Sequence, residues 1–223
     1  MSADLAAIFG VLEQRYIVTP ATPLPPAQPG IAWIWAANGI FKRGKDATLE
    51  ALICVSPTAL VPGLAPLVPS VCWCGRLARL PGSYLLQVLH DAQRAASATQ
   101  VATPIEKQYF YIERDGVRVV APQAQEATAT RVRYAMPAVG TVLADVHSHH
   151  AMPAYFSSTD DRDDTGLSVS AVLGNIFQRP ELTVRINVYG HRQVVPAGVV
   201  FDALPVELVD TYHRRGKHAI PTH

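Results

Sequence analysis

The rhythm of apolar and polar positions changes near residue 80. Downstream, Tyr84, Leu85, Val88, Leu89 and Ala92 recur at helical spacing. They predict a helix from Ser83 to about Ala96, opened by Pro81-Gly82-Ser83 with Ser83 as N-cap. Gln108-Tyr-Phe-Tyr-Ile and Val117-Arg-Val-Val-Ala read as strands joined by a tight turn at Asp115-Gly116. Residues 129–134 alternate, 141–146 suit a buried strand, and 167–173, 182–189 and 193–195 are strand-like. Upstream, Leu5, Ile8, Phe9 and Leu12 predict a short amphipathic helix, and residues 20–29 a proline-rich extended connector. Residues 31–35, 49–55 and 71–74 predict short strands. The mixture points to an α+β or α/β layered domain over residues 81–204. A Pro- and Trp-rich extension or small module of short strands (1–80) precedes it, and a C-terminal tail (205–223) follows.

Composition narrows the classes of function. The chain has 223 residues, 49% of them apolar, which is enough for a sizeable core. Only 17% are charged and the formal net charge is +1, so there is no electrostatic footprint for nucleic acid. Arg214, Arg215 and Lys217 bunch near the C-terminus and read as a solvated tail. The first stretch, with Asp4, Glu13 and Arg15, lacks the layout of a signal peptide. The apolar stretch 51–71 is broken by Pro57, Pro62, Pro66 and Pro69, which a membrane-spanning helix would not carry. A soluble, cytoplasmic protein without membrane or nucleic-acid partners is expected. The cysteines Cys54, Cys72 and Cys74 are odd in number, as suits a reducing compartment. Cys72-Trp73-Cys74 has no second pair to complete a zinc ribbon, so buried strand cysteines are expected there.

The stretch that carries chemistry runs from His147 to Asp160. His147 and His149 stand two apart at the end of the strand 141–146. Side chains at i and i+2 of an extended chain share a face, roughly 6–7 Å apart, so two imidazoles can converge on one ion. His150 would face the other way and is excluded as a ligand. A catalytic zinc needs a third protein ligand and an open position. Asp160 can supply it from Ser157-Ser-Thr-Asp, which has the form of a serine-capped helix start with an acid three residues on. A capped helix alone would explain Asp160, and a polar cluster alone would explain the histidines; together, metal binding explains them better. His90, His191, His213, His218 and His223 carry no such pattern, and Asp161, Asp163 and Asp164 read as solvated helix-start charges beside Arg162. Neither H-E-x-x-H nor the P-C-x-x-C pair of a zinc deaminase occurs.

The spacing His147, His149, seven residues, Ser157, two residues, Asp160 resembles the JAMM motif of the MPN+ (JAB-type) zinc metallopeptidases. A neighbouring frame, Ser158 to Asp161, needs one more residue in the loop. Glu106-Lys-Gln-Tyr-Phe-Tyr-Ile, the Asp115-Gly116 turn and the loop from His147 to Ser157 are similar to the protein A branch of the bacterial PRTRC (ParB-related, ThiF-related cassette) systems. The resemblance covers about residues 81–204. It implies a JAB/MPN-like mixed sheet flanked by helices, related in layering to cytidine deaminases. It also implies Zn2+ held by His147, His149 and Asp160, with an upstream glutamate as general base and acid and Ser157 stabilising the oxyanion. Glu106 holds the place of that glutamate, after the first helix and at the start of the next strand. Glu113, at an odd offset, would face away, and Glu126 falls in an expected loop. Two positions depart from the pattern: His150 stands where many members have proline, and Lys107 and Gln108 stand where many have glycines. The implied activity is a deubiquitinase-like peptidase or isopeptidase acting on a ubiquitin-like protein or its conjugates, alongside cassette-encoded activating or conjugating enzymes. The alternative is an MPN-type scaffold with little or no hydrolysis.

Overall fold

The structure is a computed structural model that describes residues 13–74, 77–98, 106–120, 125–127, 132–134 and 140–212. The expected helix over residues 5–12, the cluster from Arg214 to Lys217, and His213, His218 and His223 lie outside the described residues. Mixed β-sheets with few helices make up the fold. The strands are β1 (Glu13–Ile17), β2 (Gly30–Ala36), β3 (Gly39–Lys45), β4 (Leu49–Pro57), β5 (Ser70–Trp73), β6 (Lys107–Glu113), β7 (Val117–Val120), β8 (Gln125–Ala127), β9 (Val132–Tyr134), β10 (Thr141–Ser148), β11 (Leu167–Gly174), β12 (Glu181–Val188), β13 (His191–Val195) and β14 (Val209–Asp210). The helices are α1 (Ser83–Ala98), α2 (Ser158–Asp163) and α3 (Ala197–Val200). No helix among the described residues is long and apolar enough to cross a membrane.

The chain divides into two compact units. One takes the residues up to Ala78 together with Asp163–Ser168 and Ile186–Gln193. Its sheet runs in the order β1-β2-β3-β4-β5, with β1 parallel to β2 and the remaining pairs antiparallel. Val18, Ala32, Ile34, Ala36, Phe41 and Leu52 form its core. Strands β1 and β3 escape the sequence pattern. In β3, Gly39-Ile-Phe-Lys-Arg-Gly-Lys looks like a polar loop, yet Lys42 and Arg43 are buried. Lys42 Nζ donates to the Tyr189 carbonyl at 2.7 Å and lies 3.1 Å from His191 Nδ1 and 5.1 Å from the centre of the Trp33 ring. Burial lowers the Lys42 pKa, as expected where a charge leaves water. The expectation of buried cysteines around Trp73 is corrected. Trp73 takes the inward position, while Cys72 is exposed and Cys74 only partly covered, because alternation sends the flanking residues outward.

The second unit takes Arg79–Arg162, Val169–Arg185 and the residues from Val194 onward. On α1, Leu85, Val88, Leu89, Ala92 and Ala96 form one buried stripe. The helix begins at Ser83 itself, and Gly82 before it donates its N–H to Asp202 Oδ1 at 2.8 Å. Strand order in the larger sheet is β13-β12-β11-β10-β6-β7, with β14 on β12. β10 is central: it pairs parallel to β11 and antiparallel to β6, so both its edges are occupied where the chemistry begins. The β6–β7 hairpin closes with Glu113 paired to Val117 and turns through Asp115 (φ 54) and Gly116 (φ 111), positive-φ positions that Asp and Gly tolerate. Glu126, expected in a loop, lies instead in β8, which pairs with β9. The expected C-terminal tail holds structure as far as Tyr212: β14 pairs with the start of β12, and Thr211 is buried.

Candidate metal centre

Strand β10 ends in the chemistry. His147 pairs with Gln108 on one side and Val172 on the other. His149 prolongs the strand by donating its N–H to the Leu173 carbonyl at 2.7 Å. The two rings therefore project from the same face, and both are buried. Their Nε2 atoms stand 3.2 Å apart. At His150 the backbone turns through φ 31, and the chain leaves the sheet. That turn feeds a loop held on β11: Asn175 and Ile176 donate their N–H groups to the carbonyls of Met152 and His150.

The loop returns at Ser157 and enters α2. Ser157 Oγ accepts the N–H groups of Thr159 (3.2 Å) and Asp160 (3.3 Å), while Asp160 Oδ2 accepts the N–H of Ser157. This reciprocal capping box satisfies backbone donors at the helix start and fixes the Asp160 carboxylate. Its Oδ1 lies 3.7 Å from His147 Nε2. Ligand atoms of His147, His149 and Asp160 all fall within 4.8 Å of one another. They form the one such metal-competent group of histidines, cysteines and carboxylates among the described residues. Asp161, from the alternative frame, is not in it.

Register brings in the glutamate. Lys107 pairs with Ser148, so Glu106, one residue earlier, stands opposite His149. Glu106 Oε1 lies 3.8 Å from His149 Nε2, and Glu106 is buried. Asp91 of α1 anchors this strand start. It accepts hydrogen bonds from the Lys107 ammonium and from the Tyr109 hydroxyl (3.0 Å), and Lys107 N–H reaches Ser148 Oγ at 3.1 Å. Glu113 sits at the far end of the same strand.

Electrostatics suits a cation. Burial, and then the neighbouring His147, lower the His149 pKa to about 4, so its ring is the neutral form that ligates metal. Burial, and then the Asp160 charge, raise the Glu106 pKa to about 7. Burial acts to raise the Asp160 pKa as well. His147 and the Ser157 hydrogen bonds outweigh it and hold that carboxyl below the ordinary value. Two imidazoles and a carboxylate, convergent and partly dry, are a donor set suited to zinc with a position left open. His149 Nδ1 lies 3.4 Å from the Pro153 carbonyl, an outer partner of the kind that orients a ligating ring.

The sequence pattern did not single out the groups that hold this loop. Glu181 Oε2 accepts the Ala154 N–H at 3.3 Å, and Thr183 Oγ1 donates to the Ala154 carbonyl at 2.7 Å. Arg185 Nη1 donates to Asp161 Oδ1 at 2.5 Å. All are polar side chains on one face of β12 and all are buried, which alternation alone would read as a solvated face.

No curated protein matches the chain. The family described as prokaryotic homologs of the JAB domain matches residues 86–187, just under half of the chain and the part that holds every residue of the metal group. The match supports a JAB/MPN-type domain over residues 86–187.

Proposed function

We propose that the protein is a zinc-dependent peptidase or isopeptidase of the JAMM type. The observation that carries the reading is the convergence of His147, His149 and Asp160 with a buried glutamate facing His149 at 3.8 Å. When bound, zinc would supply Lewis-acid activation of water and of the scissile carbonyl. His147, His149 and Asp160 would hold it. Glu106 would take the proton from the attacking water and deliver it to the leaving amine; a carboxyl that titrates near neutrality is suited to both steps. Ser157, its hydroxyl bordering Asp160, would donate to the developing oxyanion.

The proposed substrate is the C-terminal peptide or isopeptide bond of a ubiquitin-like protein, within a cassette of the PRTRC kind and in the cytoplasm. The layering related to cytidine deaminases belongs to the same reading. Resemblance in the motif and in the stretch after Glu106 supports it. The test is incubation with a ubiquitin-like fusion from the same operon. Cleavage that stops on chelation and returns with zinc supports the proposal; no cleavage of any such fusion by zinc-loaded protein refutes it. One observation favours a second reading, an MPN-type scaffold: in the N-terminal unit Ile17, Trp35, Leu60, Val61 and Val68 are large apolar side chains left exposed. Co-purification of a partner by protein that carries zinc but hydrolyses nothing would favour that reading.

A further inference from the structure

Helix α2 carries Asp160 yet is only six residues long and buries none of them. Apolar packing cannot hold so short a helix, and isolated helices of this length do not persist in water. The capping box fixes the carboxylate within the segment, and contacts from outside the helix must hold the segment itself.

Arg185 is placed to do so. It lies in the middle of β12 and is 4% exposed. One edge of its guanidinium donates to Asp161, the residue after Asp160. Its guanidinium carbon lies over the ring of Phe156, the residue before Ser157, 3.8 Å from the ring centre. Phe156 in turn meets the His147 ring nearly perpendicularly, with centroids 6.4 Å apart. One buried planar cation therefore grips the segment from Ser157 to Asp160 at both ends. Two and four residues earlier on the same face, Thr183 and Glu181 hold the carbonyl and N–H of Ala154, farther back in the same loop. A guanidinium suits the task because it stacks through its face while hydrogen-bonding through its edge, which an ammonium cannot do.

We propose that Arg185 is a positioning residue for the metal centre, acting through Asp161 and Phe156 to present Asp160 to the two histidines. The inference rests on the zinc reading above, but part of its test does not. The variants are Arg185→Lys, which keeps the charge and loses the plane, and Asp161→Asn, at a side chain 47% exposed, which keeps an oxygen acceptor and removes the charge. Two quantities are read: amide hydrogen exchange of residues 156–162 relative to α1 in the metal-free protein, and the zinc dissociation constant by chelator competition. The expected result is faster exchange confined to that segment, together with zinc affinity weakened about tenfold or more in both variants. Affinity within about threefold of the unmutated protein, or exchange unchanged, overturns the proposal. Should Arg185→Lys fail to fold, Asp161→Asn decides. Should the unmutated protein bind no zinc, the zinc reading falls, and the exchange data alone still decide whether Arg185 positions the segment.

Discussion

Gly174, the last residue of β11, meets the ligand loop where no side chain fits. A Cβ there would stand 2.1 Å from the Ala154 nitrogen, 2.4 Å from the Pro153 carbonyl carbon and 2.7 Å from Ala154 Cα. All three are backbone atoms, so no rotamer can relieve the clash. Ordinary contact begins near 3.4 Å, so Gly174→Ala forces the loop back by about 1.3 Å. That displacement strains the Ala154 bonds to Glu181 and Thr183 and draws the Pro153 carbonyl away from His149. Overpacking of this kind costs about 1–3 kcal/mol. For a chain of this length, about 2 kcal/mol lowers Tm by roughly 4–8 °C. Loss of an outer partner of a ligating histidine weakens metal binding about 10–100-fold. Thermal melting of the metal-free protein gives the first quantity and zinc competition against a chelator the second. A Gly174→Ala protein that melts and binds zinc like the unmutated one would refute the close-approach argument.

Other consequences are independent of that loop. Glu106→Gln preserves the shape of the side chain and removes its proton chemistry, so zinc stoichiometry is kept while turnover of a cleavable fusion drops by about 100-fold or more. Equal loss of zinc and turnover would instead make Glu106 a support for the ligands. Asp91→Asn weakens the grip on Lys107 and deprives the buried Tyr109 hydroxyl of its charged acceptor, at a cost of about 1–3 kcal/mol at neutral pH. Acid sensitivity should change with it. Burial raises the Asp91 pKa, but the Lys107 and Tyr109 hydrogen bonds and the Lys107 charge outweigh it, so the folded value lies below the ordinary 3.8. Its contribution is therefore full well above pH 3.8 and fades as pH falls through the folded value. Urea midpoints of the unmutated protein should fall more steeply in that range than those of Asp91→Asn, and parallel curves would contradict the assignment.

The metal group was legible because its logic is local. Two histidines two apart on a strand, and an aspartate inside a capped helix start, state their geometry in the sequence. Glu106 is reached in the sequence only through the resemblance; its place beside His149 follows from the pairing of Lys107 with Ser148, which joins residues far apart in the chain. The hairpin at Asp115-Gly116 was readable from turn chemistry, and α1 from its buried stripe. What escaped was polar and buried. Lys42 and Arg43 disguise β3 as a loop, and Glu181, Thr183 and Arg185 give β12 the alternation of a half-exposed strand. Period-two patterning reports which residues share a face, and it does not say whether water or another part of the chain lies against that face.

Zinc content per chain decides whether His147, His149 and Asp160 hold a metal, measured by elemental analysis on the purified protein beside His149→Ala and Asp160→Ala. About one zinc per chain is expected in the unmutated protein, lost in both variants. Absence of zinc from the unmutated protein after reconstitution, or zinc retained in both variants, would contradict it.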